Sequence, residues 1–313
     1  MPRVLLWLAA AAALCVLGFG VPSRAADDIA TAYDQIERVL PPDAAVPGPE
    51  AFDADEQETR AAFAPPAANK RGVARFLPSG GRKGSVAQLA ALSEELRQAG
   101  FPRLERHVFY RGWERIENLA TGIVVLRKCD QNALITLDPG RKTYRVEEPL
   151  ASDRAELLRR ASQERPGGAS LDVERHVERA DARTVAGIEA TAYRSAETLR
   201  VEAATGSCRT ATIVAQTQTY YAPFSAPVAT CPRRAPDFPA TSLAVVARDG
   251  CRPSVAAHAT GTTEPSAPLV LYRLMTLVEG RERLMLLTAR GNIRSIVGPG
   301  ALFEIPPGYT RSR

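Results

Sequence analysis

Residues 137–146 read LDPGRKTYRV, and Gly140, Arg141, Lys142 and Thr143 approach the Gly-Lys-Thr end of a phosphate-binding loop. Such a loop needs a glycine, four residues, then Gly-Lys-Ser/Thr opening onto a helix whose free N–H groups gather on phosphate. Here Arg141 separates Gly140 from Lys142, and Thr143-Tyr144-Arg145-Val146 continues as a strand. Asp138, Pro139 and Gly140 are turn formers, because proline fixes φ and glycine permits a positive φ. The stretch predicts a hairpin and not a nucleotide site.

Other reactive residue types are sparse. The histidines are His107, His176 and His258. A metal site wants several histidines or carboxylates converging. His107 and His176 each fall in a charged strand, and His258 in a Thr/Ala-rich loop. A Ser-His-Asp hydrolase wants its serine on a strained elbow such as Gly-x-Ser-x-Gly. Gly168-Ala169-Ser170 lacks the partner glycine, and Gly206-Ser207-Cys208 reads as a turn holding a disulfide. Glu147 and Glu148 sit at a strand end, where neighbours point to opposite faces. No acid/base constellation emerges, so the sequence predicts a non-enzymatic protein without cofactor or metal. The aromatic set Tyr110, Trp113, Tyr220, Tyr221 and Phe224, with Met275 and Met285, is the candidate lining of a ligand cavity. The competing reading makes them core residues of a sheet.

The elements that would position these residues are mostly strands. "RHVFYRGWERIEN" carries β-formers around Gly112, a turn or bulge. "TGIVVLRKC", "NALITLD" and "TYRVEE" follow, then "DVERHVER", "GIEATAYRSAETLRVEAAT", "TATIVAQTQTYYA", "TSLAVVARD", "APLVLYRLMTLVEG" and "ERLMLLTARGNIRSIV". Three helices are expected. Asp28–Leu40 places Ile29, Tyr33, Ile36 and Leu40 at helical spacing. Val86–Gln98 makes a stripe of Val86, Leu89, Leu92 and Leu96, capped by Ser85 and ended by Gly100 and Pro102. Asp153–Gln163 is ended by Pro166. Strands do not alternate with long helices, so a doubly wound parallel sheet is not expected.

Arg3, the apolar run Val4 to Val21 and the small-residue site Ser23-Arg24-Ala25 read as a secretory signal peptide over 1–25. No later segment has the apolar length of a membrane span. Removing Arg3 and Arg24 lowers the formal charge from +5 to +3. The 40 basic and 35 acidic residues form a mixed surface and not a nucleic-acid stripe. Residues 26–83 read as a short helix plus a Pro/Ala-rich, partly disordered linker, and 84–313 as one sheet domain. Export places the chain in the periplasm or the medium. Without Cys15, the cysteines are Cys129, Cys208, Cys231 and Cys251, an even set that predicts two disulfides in an oxidising compartment. Three pairings are possible. Cys231 with Cys251 and Cys129 with Cys208 is the favoured one, because Cys231 and Cys251 flank one Pro-rich segment.

Three motifs carry a resemblance. They are the Leu-Asp, turn, Lys-Thr-Tyr hairpin at 137–144, the "VAGIEATAYR" step at 185–194 and the closing "LFEIPPGYT" at 302–310. Together they resemble the LolA/LolB-like periplasmic lipoprotein-carrier superfamily and its exported bacterial relatives. The resemblance implies an α+β fold, a strongly curved open antiparallel sheet or half barrel with a few covering helices. It also implies a cavity for lipid acyl chains. The expected function is therefore an exported, non-catalytic binding protein for an apolar or amphiphilic ligand, a lipid or a lipidated protein. The alternative is a structural or partner-binding envelope protein with a self-filled core.

Overall fold

The computed structural model describes residues 28–40, 43–44, 48–49, 88–98, 101–147, 167–206, 208–227, 241–242 and 251–312. The expected signal peptide, the linker at 45–47 and 50–83, the helix at 153–163 and Cys231 lie outside these residues. So does nearly all of the expected strand at 241–249.

The first half of the sheet is built from β1 (Ile29–Leu40), β2 (Arg103–Tyr110), β3 (Trp113–Asn118), β4 (Val124–Lys128), β5 (Ala133–Asp138) and β6 (Thr143–Glu147). The second half is β7 (Gly167–Val185), β8 (Ile188–Glu202), β9 (Ala211–Ser225), β10 (Cys251–Gly261), β11 (Pro268–Glu279) and β12 (Glu282–Val297), and β13 (Thr310–Arg311) closes the chain. All belong to one 13-stranded sheet, ordered β10-β7-β8-β9-β11-β12-β1-β2-β3-β4-β5-β6-β13. Neighbours pair antiparallel except at the two edges, where β10 runs parallel to β7 and β13 parallel to β6. The N-terminal strand β1 joins the two meanders by pairing with both β12 and β2.

This corrects the expected α+β class with a few covering helices. Among the described residues the sheet is open and mixed, and a single short α-helix, α1 (Gln88–Gln98), accompanies it. The stripe Leu89, Leu92 and Leu96 is buried as its spacing predicts. It packs on Leu171, Leu199, Ile213, Met275, Leu277 and Leu286. Glu279 on β11 accepts a hydrogen bond from the Leu89 N–H at 3.1 Å, placing a carboxylate at the positive end of the helix.

The segment read as the first helix is instead β1, the central strand. Its apolar residues recur every three to four positions, which mimics a helix. A helix would leave one face wet, yet Ala30, Ala32, Tyr33, Asp34, Gln35 and Ile36 are all buried. A strand flanked on both sides, as β1 is by β12 and β2, buries consecutive residues this way. The polar pair survives burial because neighbours satisfy it. Arg106 donates to both Asp34 oxygens at 2.8 and 3.0 Å. Arg290 donates to Gln35 at 2.6 Å.

The opening hairpin forms as read, with Asp138 opposite Thr143. The β2–β3 turn uses Arg111 (φ 51°) and Gly112 (φ 79°), two positive φ values that suit a two-residue hairpin loop. On the face away from α1, the C-terminal residues strap the first meander. Phe303 is fully buried against Ala30, Ala32, Val108 and Tyr110. Ile305 and Tyr309 cover Val124, Leu126, Ile135 and Leu137. The "LFEIPPGYT" motif is thus a packing element.

The favoured cysteine pairing is also corrected. Cys208 is bonded to Cys251. Cys251 lies opposite Gly167 in the parallel β10–β7 ladder. The loop before β9 is tied to the same place, because Thr205 N–H donates to the Gly168 carbonyl at 2.8 Å. Pairing across the sheet, which sequence separation does not report, brings the two sulfurs together. Cys129 is disulfide-bonded as well, to a residue outside those described.

Candidate functional site

Partners in a ladder share a face, so the register assigns side chains to the two faces of the sheet. On the face that carries α1, a polar row crosses four strands. Tyr33 (β1) stacks on His107 (β2) at 5.2 Å between ring centres. His107 Nδ1 lies 3.0 Å from Glu114 Oε1 on β3, and Arg127 on β4 donates to Glu114 Oε2 at 2.9 Å. On the other side of the ring, Glu105 Oε2 is 3.5 Å from Nε2, an ion-pair contact too long and poorly aimed to satisfy that nitrogen. Burial opposes a charge on His107, but Glu105 and Glu114 outweigh it and raise its pKa above the usual 6.5. Burial likewise opposes ionisation of Glu105, yet His107 and Arg103 hold its carboxyl below the usual range. Glu37 goes the other way, raised by burial and then by Glu105.

This row has the residue types of acid/base chemistry but not the access. Glu114 is fully buried and His107 is 1% exposed, so no substrate atom reaches hydrogen-bond distance of either. The row is a structural lock, and its pH dependence is defined. A histidine whose folded pKa is raised stabilises fully below its unfolded value of about 6.5 and loses that contribution as pH rises through the folded value. The urea midpoint of the native protein minus that of His107→Gln is expected to shrink from pH 6 upward. A difference that stays constant or grows with pH would refute the charged-ring assignment.

A second polar cluster sits at the other end of the same face. Arg175 (β7) pairs with Glu197 (β8) at 2.9 Å and with Glu264, while Ser242 donates to Glu197. Tyr221 donates to Glu264 at 3.1 Å. Burial raises the pKa values of both Glu197 and Tyr221. No histidine joins this serine. Ser170, one of the two serines weighed from sequence, is exposed and donates to the Glu202 carbonyl at 3.5 Å. Ser207 lies outside the described residues. Among the described residues no group of His, Cys, Asp and Glu is arranged to hold a metal ion.

The predicted cavity residues do not converge on one cavity. Tyr110 and Trp113 pack edge-on at 6.3 Å beside Phe303. Tyr220 packs on Tyr272, and Tyr221 on Tyr193. Met275 lies under α1, and Met285 belongs to a different cluster. Phe224 is 41% exposed. Six of these seven are therefore spread through four packed clusters, with Tyr110 beside Trp113 in one and Tyr220 and Met285 sharing another.

What sequence reading missed is a groove of about 490 Å3 on the face opposite α1. It is made by two adjacent cross-strand rungs. One runs His176–Ala196–Gln216–Thr276, and the next Glu178–Arg194–Gln218–Leu274, each crossing β7, β8, β9 and β11. The following rung on one side presents Val214 and Val278, opposite one another and 40% and 36% exposed. Gln218 donates to the Tyr220 hydroxyl at 2.8 Å, whereas the Gln216 amide has no hydrogen-bond partner among the described residues. Arg194 and Glu178 approach only to 3.9 Å and remain largely exposed, so both can turn to another partner. His176 Nδ1 lies 3.0 Å from Thr260 on β10, extending the first rung to the sheet edge. The signal was present as the alternation of polar residues in "VERHVER" and "VAQTQT", but it names no rung until the register is known. His258, read as a loop residue, lies in β10.

Compared with protein-family models and with curated proteins, the chain matches none. No helix among the described residues is long and apolar enough to cross a membrane. Among the described residues, fold and site together define an open 13-stranded sheet carrying a polar groove on the face opposite α1.

Proposed function

We propose that this is an exported, non-catalytic binding protein that holds an extended segment of a protein partner in the β7–β8–β9–β11 groove. The observation that carries this reading is the pair of rungs with an unengaged Gln216 amide beside a loosely held Arg194–Glu178 pair. A carboxamide donates and accepts at once, which matches the alternating N–H and C=O groups of an extended peptide. Arg194 and Glu178 supply charge selectivity, and the exposed Val214–Val278 pair supplies an apolar ledge for one side chain. The disulfides at Cys208–Cys251 and Cys129 suit an oxidising compartment. The lipid-carrier alternative gains no support from the described residues, since the apolar candidates are divided among four packed clusters.

The test is selection of random displayed peptides on the full chain, followed by affinity measurement with Gln216→Ala and Arg194→Glu. Selected peptides are expected to lose at least roughly tenfold in affinity, about 1.4 kcal/mol, and a fluorescent fatty acid is expected to show no saturable uptake. Binding indifferent to both substitutions removes the groove from the argument. One fatty acid bound per chain would restore the carrier reading.

A further inference from the structure

Among the described residues, strand β10 is the one long edge of the sheet. Its inner side pairs with β7 from Cys251 to Gly261. No described strand pairs with its outer side. Residues 254–261, SVAAHATG, are all exposed, and residues 253–261 contain no Asp, Glu, Lys or Arg. Sheet edges are normally blunted by charge, shortness or a covering element, because a row of free N–H and C=O groups invites another strand. The opposite edge follows that rule, since β13 has only two residues. On β10 proline is present only at residue 253, near the start of the strand.

The hydrogen-bonding phase of this edge is fixed. Thr262 N–H donates to the Val177 carbonyl at 2.8 Å, so the backbone groups of even-numbered residues face β7. Odd-numbered residues, Val255, Ala257 and Ala259, turn theirs outward. We propose that this edge takes a second copy of the same chain, β10 pairing antiparallel with its twin about a twofold axis at Ala257. An antiparallel pair exchanges hydrogen bonds between residues whose groups point outward on both strands, and this register meets that condition throughout. It sets Ala257 against Ala257, Val255 against Ala259, and Ser254 against Thr260. His258 meets Ala256, so no charge faces a like charge. Pro253, which lacks an N–H, falls opposite Gly261 at the margin, where the missing bond costs least. A copy of the same strand is thus complementary in size, charge and hydrogen-bond phase, as an isologous interface requires. This inference does not depend on the groove.

The experiment is sedimentation velocity of the full mature chain, with Ala257→Asp and Ala257→Cys. The native protein is expected to sediment as a dimer. Ala257→Asp places two carboxylates together on the axis and is expected to give monomer, with unchanged circular dichroism because the site is exposed. Ala257→Cys is expected to form a reducible covalent dimer on mild oxidation. The inference is overturned by a monomeric native protein, or by a dimer that persists in Ala257→Asp and gives no cross-link through Ala257→Cys.

Discussion

Glu114→Ala is expected to lose about 3–5 kcal/mol of folding stability, the cost of removing one member of a buried ionic network. Glu114 is fully buried, accepts from Arg127 at 2.9 Å and pairs with His107 at 3.0 Å. Truncation leaves a guanidinium 8% exposed and an imidazole 1% exposed without the carboxylate they share. Neither side chain can swing into water, since each is held within its ladder and His107 is stacked on Tyr33. Chemical denaturation of the variant and of the double variant Glu114→Ala/Arg127→Met measures the coupling. The double variant should recover part of the loss, because no guanidinium is then left unpaired. A single variant within about 1 kcal/mol of the native protein would show that the pair is not a lock, since surface ion pairs are worth no more than that.

The second large effect is expected at Cys208–Cys251. The bond spans a sequence separation of 43 residues. A closed loop of that size lowers the entropy of the unfolded chain by an amount equivalent to about 4 kcal/mol in the chain-entropy description. The double variant Cys208→Ser/Cys251→Ser should lose roughly that much. The loss should concentrate on the edge, because the bond anchors the first residue of β10 to the loop that enters β9. Hydrogen exchange should therefore rise along the inner side of β10 before it rises in β8 or β9. Uniform exchange across the sheet, or a loss below about 1 kcal/mol, would contradict the anchoring role.

These two effects mark what could be read without the fold. Strand identity was legible from local composition. "NALITLD", "TATIVAQTQTYYA" and "APLVLYRLMTLVEG" are β-rich runs bounded by turn formers, and each became a strand. The Asp138-Pro139-Gly140 turn and the apolar stripe of α1 were legible for the same reason, since turn chemistry and helical period act within a few residues. β1 was not, because Ile29, Tyr33, Ile36 and Leu40 satisfy a helical period equally well. What decided it was the pair of neighbours that bury both of its faces and satisfy Asp34 and Gln35. The same gap explains the groove. Gln216 and Arg194 are ordinary polar residues until the ladder sets them on adjacent rungs.

The sequence by itself determined most of the strands other than β1 and β10, the Asp138-Pro139-Gly140 turn, which face of α1 is apolar, and that Cys129, Cys208 and Cys251 belong to disulfides. Those properties follow from backbone preferences and side-chain periods over short distances. Strand order, the Cys208–Cys251 pairing, the buried His107–Glu114–Arg127 row and the groove were decided only by tertiary structure. Each joins residues far apart in the chain, and a ladder register that no local pattern encodes is what places them together.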